Sequence, residues 1–146
     1  AFLGVPAVAV SMYIPPEQFD GVDPGLDPAD YWSAVDAATY LVELAGDIDA
    51  FERADYLNVN APTAARSTGE MTVTRPSSVY RMTADREGET VNIRDPIWGE
   101  MESGSTADPV GTDRHAIIEN RVSVSPLSAP HTTADDPELA TLAEEY

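Results

Sequence analysis

Apolar residues along this chain follow two rhythms, and the rhythm changes near the middle. The run Phe2-Leu3-Gly4-Val5-Pro6-Ala7-Val8-Ala9-Val10-Ser11 is apolar almost throughout and does not alternate. That pattern predicts a strand covered on both faces, as in a parallel sheet flanked by helices. It opens directly after Ala1, so the neighbours such a strand needs are expected partly in sequence preceding this one. Between residues 31 and 45 the spacing becomes helical: Tyr31, Ala34, Val35, Ala38, Leu41, Val42 and Ala45 follow i, i+3, i+4, i+7. One face of that helix is expected to pack on the sheet. Its start is signalled by Asp27 as N-cap, Pro28 at the first helical position and Asp30 reaching back to the cap; Gly46 ends it. Tyr56-Leu57-Asn58-Val59-Asn60-Ala61-Pro62 then reads as a second strand stopped by proline, and strand, helix, strand is the unit that builds parallel sheets.

From Met71 the residues favour extended structure. Met71 to Thr74, Ser78 to Ala84 and Thr90 to Ile97 are rich in Val, Thr, Tyr and Ile, with Arg86-Glu87-Gly88 as a turn. An antiparallel hairpin region is expected there, with little helix to cover it and thus open to a second subunit. Glu100 to Gly111 reads as a polar loop. Thr112-Asp113 would cap a short helix over Arg114 to Asn120, followed by a strand from Arg121 to Leu127. Asp136-Pro137-Glu138 would start an amphipathic C-terminal helix carrying Leu139 and Leu142. The expected division is an α/β core over 1–70, a hairpin region over 71–100, and a loop, strand and helix over 101–146, together forming one incomplete domain.

Charge changes the picture more than size does. The 146 residues carry 26 Asp and Glu against 8 basic residues, all of them Arg, for a formal charge of −18. Such a surface repels itself in dilute buffer, whereas at molar salt the Debye length shrinks to ~3 Å. Acidic residues interleave with periodic apolar segments, which argues for a halophile's folded surface over a disordered acidic tail. A nucleic-acid polymer as partner is disfavoured, because phosphate binding needs clustered cations. With no Cys, disulfides and thiolate metal sites are excluded. No apolar run nears the ~18 residues of a membrane span, so a cytoplasmic protein with no membrane partner is expected.

Candidate chemistry is sparse. Asp20, Asp23 and Asp27 lack the alternating ligand spacing of a calcium loop, and Pro24 breaks the turn. Asp113 and His115, with His131 farther on, give no zinc spacing. Ser11 follows the first strand, where α/β proteins place reactive groups, yet Ala9-Val10-Ser11-Met12-Tyr13 lacks the glycines of a nucleophile elbow. No phosphate-cradling glycine loop occurs. Asn58 and Asn60 point to the same side of their strand, either bonded to backbone or walling a ligand site at the carboxyl edge of the sheet.

The ordered series Phe2 to Ser11, a helix, Leu57-Asn58-Val59-Asn60-Ala61-Pro62, Val73-Thr74-Arg75, Gly111-Thr112-Asp113 and Val122-Ser123-Val124-Ser125-Pro126-Leu127 resembles the later part of the SurE family of 5'/3'-nucleotidases. It departs at Ala61, where a branched residue is usual, at Ser125, where Thr is common, and in a longer acidic loop over 13–27. The resemblance implies a Rossmann-like three-layer α/β domain with a protruding antiparallel hairpin. It also implies a phosphomonoesterase that uses a divalent cation, Mg²⁺ or Mn²⁺, on nucleoside monophosphates and assembles as a dimer or tetramer through the hairpin. The family's metal ligands, led by a paired-aspartate Asp-Asp-Gly loop, lie ahead of the matched stretch, and Asp135-Asp136 precedes a proline instead. No catalytic or metal residue is therefore carried over. Ser11, Asn58 and Asn60 are expected to wall the substrate side. The alternatives are a non-catalytic oligomerisation or binding module derived from the same fold, and an unrelated α/β enzyme using Ser11, Asp113 and His115.

Overall fold

A computed structural model describes residues 5–15, 25–47 and 49–128. Strand β1 (Ala7–Tyr13) lies parallel to β2 (Tyr56–Pro62), with Val8 opposite Leu57 and Ser11 opposite Asn60. Strand β6 (Val122–Leu127) runs antiparallel to β2 on its other side, and β3 (Met71–Val73) pairs parallel with β6. The sheet order is thus β1-β2-β6-β3. The first two strands share one largely parallel sheet, as the strand–helix–strand reading requires.

The connection between β1 and β2 begins as the sequence signals. The Asp27 side chain accepts the Ala29 amide at 2.9 Å and the Asp30 side chain accepts the Asp27 amide at 2.9 Å, closing a capping box with Pro28 inside it. One tight 3-10 turn, Pro28–Tyr31, leads into α1 (Trp32–Leu44). The buried face of α1 differs from the expected one. Ala34, Ala37 and Ala45 are buried and Leu41 packs partly, whereas Tyr31, Val35 and Val42 stay exposed, Val42 at 70%. The helix carries more apolar positions than one face can hold, and the alanine row lets the backbone come closest to the sheet. There it meets Leu57, Val59, Ala61, Val122 and Val124, the centre of the core.

Three further expectations are corrected. Strand β1 is not buried on both faces: Ala9, Val10 and Ser11 are exposed, because among the described residues β1 stands at the sheet edge. Met71–Val73 joins the main sheet, and the antiparallel pair is confined to β4 (Thr83–Glu87) and β5 (Thr90–Arg94), joined through Gly88 in a left-handed conformation at φ 62°. Ile97 ends no strand. It begins helix α2 (Ile97–Glu102), inside what reads as strand and polar loop, since Pro96 stops extension and Ile97 and Met101 at i, i+4 share a buried face. The Asp95 carboxylate accepts the Ile97 amide at 3.2 Å.

Helix α3 (Asp113–Ile118) follows Thr112 as expected, but Thr112 makes no side-chain cap. Its hydroxyl turns to Asp108 Oδ2 at 2.9 Å and the Pro109 carbonyl at 2.7 Å. Helix α3 packs on β2 and β6, and its Ile117 lines one cleft with Ser11 and Asn60 on the sheet face opposite α1, so helices flank both faces. Gly111 is required beside it: its φ is +84° and a Cβ there would lie 3.1 Å from Arg75 Nη1. The expected C-terminal helix, Asp20, Asp23, Asp135 and His131 lie outside the described residues. No helix among the described residues is long and apolar enough to cross a membrane.

Candidate functional site

Parallel strands present their carboxyl ends to ligands because the helices that follow leave a crevice there. Strands β1 and β2 do this with unlike faces. Leu57, Val59 and Ala61 turn toward α1, so Asn58 and Asn60 must turn the other way. Register places Ser11 beside Asn60, Asn60 beside Ser123 and Asn58 beside Ser125. A band of polar side chains therefore crosses three strands on the α3 side. Its deep part is closed by hydroxyls: Thr74 Oγ1 lies 2.7 Å from Ser123 Oγ and 2.8 Å from Ser125 Oγ, and all three residues are buried. Among the described residues no hydrogen bond engages the half-buried side-chain amide of Asn58 or Asn60.

Above the shallow end of the band lies a cleft of about 410 Å³, with Ser11, Tyr13, Asn60, Trp98 and Ile117 in its wall. Two of the three expected wall residues, Ser11 and Asn60, meet there; Asn58 lies on the same face outside the cleft. Sequence reasoning passed over Tyr13 and Trp98, whose rings stack with centroids 4.4 Å apart. Only the scarcity of Trp could have flagged Trp98, since its partner lies 85 positions away in sequence. A larger apolar groove, about 1230 Å³, opens on the opposite face between α1 and β3 and holds none of the polar band. The cleft, not the groove, lies at the carboxyl ends of β1 and β2 beside Ser11 and Asn60, which makes it the better candidate for a ligand of this sheet.

The other candidates are not brought to this cleft. Asp113 accepts the Ser77 amide at 2.9 Å and the Arg114 amide at 2.8 Å, acting as a local brace. His115 Nδ1 faces Glu119, 3.6 Å away on its own helix. Neither residue lines the cleft that holds Ser11, which removes the geometry needed for a Ser, His, Asp relay. Asp27 is occupied in the capping box.

A divalent cation wants several hard oxygen donors, carboxylates above all. Among the described residues the cleft's lining offers the Ser11 and Tyr13 hydroxyls and the Asn60 side-chain amide but no carboxylate. Among the described residues no three His, Cys, Asp or Glu side chains gather. The donor set of the described residues does not fit such an ion by itself, and no chemical step can be assigned through one here.

No protein-family model matches the chain. Individual proteins do. The 5'-nucleotidase SurE of Halobacterium salinarum is 52% identical over 147 residues, spanning 100% of this chain and 56% of that protein. That of Haloarcula marismortui is 47% identical over 148 residues, spanning 99% and 54%. The chain belongs to the SurE family. It spans about half the length of the curated SurE relatives it matches. The crystal structure of SurE from Aquifex aeolicus superposes with a TM-score of 0.57 at 21% identity, over 98% of this chain and 53% of that one, which supports the same α/β fold.

Proposed function

We propose that this chain is part of a cytoplasmic phosphohydrolase that removes phosphate from nucleoside 5'- and 3'-monophosphates with a bound Mg²⁺ or Mn²⁺. In this reading the chain supplies the substrate-side wall, Ser11, Asn58 and Asn60, and an assembly hairpin. The metal ligands belong to the remainder of the protein. The observation that carries the reading is 47–52% identity along essentially the whole chain to proteins named 5'-nucleotidase SurE. The geometry agrees with it: the Asn60 side-chain amide, with no partner among the described residues, and the exposed Ser11 hydroxyl lie toward the carboxyl ends of a parallel strand pair, where ligands of such sheets bind, and Asn58 stands on the same face behind them.

The test is phosphate release by the full-length protein in molar KCl from AMP and 3'-AMP, with Mn²⁺ or Mg²⁺ and with chelator. Metal-dependent turnover, weakened at least about tenfold in kcat/KM by Asn60→Ala, is expected, a change equal to ~1.4 kcal/mol. No turnover of any nucleoside monophosphate under these conditions sinks the proposal.

A further inference from the structure

We infer that the stacked pair Tyr13–Trp98 is a platform for the nucleobase, making the cleft the nucleoside end of the substrate site. The inference rests on the nucleotidase reading above and adds to it which part of the substrate this chain holds. Tyr13 ends β1 and Trp98 stands on α2; their planes are inclined by only 21°. The pair is fixed from behind. The Tyr13 hydroxyl donates to Glu102 Oε1 at 2.8 Å, and Arg66 Nη1 reaches the same carboxylate at 3.3 Å. Ile97 and Met101 anchor α2 in the interior. Two half-buried rings held in place by a hydrogen bond and a buried helix face lose little freedom when a third ring joins them, and preorganisation of that kind lowers the cost of binding.

The lining chooses the ligand fragment. Among the described residues it contains no Arg, Lys or His, so these residues offer a phosphate dianion neither charge nor a bidentate donor. The Glu102 carboxylate, bonded to the Tyr13 hydroxyl, would repel one. A nucleobase fits on both counts: its π-face stacks on aromatic side chains, and its polar edge can pair with Asn60, whose amide both donates and accepts. Ser11 provides a hydroxyl in the same wall. The volume of about 410 Å³ lies within the ~300–1,000 Å³ of small-molecule clefts. The phosphate is thereby directed away from α2, toward the portion of the protein that carries its charge-handling groups.

The experiment uses the full-length protein and the variants Trp98→Ala and Trp98→Phe. Two measurements are made: kcat/KM for AMP relative to ribose 5-phosphate, which lacks a base, and the Kd of adenosine by calorimetry. The expected result is a roughly five- to hundred-fold fall in the AMP to ribose 5-phosphate ratio for Trp98→Ala. Adenosine should weaken by a similar factor, and Trp98→Phe should keep most of both. An unchanged ratio with unchanged adenosine binding overturns the inference. So does a loss that strikes AMP and ribose 5-phosphate equally, which marks Trp98 as structural. Should the wild-type protein turn over neither substrate, the nucleotidase reading fails on its own, and adenosine binding lost in Trp98→Ala but kept in Trp98→Phe still decides the platform.

Discussion

The Ser77 hydroxyl donates a 2.6 Å hydrogen bond to Asp108, a carboxylate whose side chain is wholly buried. Around that bond the segment entering the hairpin is tied to α3. Thr112 donates to the other oxygen of Asp108, Arg114 approaches it at 3.4 Å, and Arg114 also donates to Ser77 Oγ and to the Val79 carbonyl. A buried charge is tolerated because every neighbour in this cluster compensates it.

Removing the cation should expose that dependence. Arg114→Leu is expected to cost about 3–5 kcal/mol, the range for stripping one partner from a buried pair. Adding Asp108→Leu should recover part of the loss, since the orphaned charge disappears with it. Urea unfolding of the full-length single and double variants measures this, and a double variant weaker than the sum of the two single changes would contradict it.

Gly111→Ala should destabilise by roughly 1–2 kcal/mol, because an alanine must enter the left-handed region at φ +84° and push against the Arg75 guanidinium. Thermal melts of the two proteins give the answer. Gly46 is the control: a Cβ there meets nothing within 4 Å and its φ is not positive, so Gly46→Ala is expected to be near neutral. Equal melting temperatures for wild type and Gly111→Ala would mean that the loop before α3 can relax.

Much of the frame was legible from residues alone. Asp27, Pro28 and Asp30 announce the helix start because a capping box is a local reaction between neighbours, needing no knowledge of the fold. The two main strands are legible for the same reason. What periodicity cannot rank is two adjacent apolar faces of one helix, so Val35 and Val42 read as core while Ala37 is the residue that packs. Nor does it reveal the Tyr13–Trp98 stack or the Asp108 cluster, in which partners from separate elements meet only after the chain has folded. Ser11 and Asn60 could be named because strand alternation fixes where their side chains point.

The hairpin should govern assembly. Alternation gives it one polar face and one bearing Ala84, Arg86, Val91 and Ile93, with Val91 58% and Ile93 66% exposed. A two-stranded ribbon is marginal by itself, and an uncovered apolar face invites a second copy. Val91→Glu with Ile93→Glu in the full-length protein is expected to lower the oligomer's mass by light scattering while leaving the monomer folded by circular dichroism. An unchanged mass would count against the hairpin as the contact.

Salt should stabilise the whole protein. With 26 acidic residues against 8 Arg, raising KCl from ~0.1 M to molar levels shortens the Debye length from ~10 Å to ~3 Å and relieves self-repulsion in the compact state. Melting temperature should climb steeply over that range. A flat or falling curve would argue that the acidic surface is incidental to stability.

The three hydroxyls of Thr74, Ser123 and Ser125 share two contacts but possess three protons. Simple counting leaves one donor unspent. If Thr74 donates toward Ser123, then Ser125 must donate to Thr74 and the spare proton sits on Ser123; reversing both bonds moves it to Ser125. When both serines donate inward, Thr74 keeps it. The free O–H can thus sit on Ser123, the cross-strand neighbour of Asn60, or on Ser125, that of Asn58, without moving a heavy atom. This gives the polar band a hydrogen-bonding sense that rotates to suit whatever lies above it.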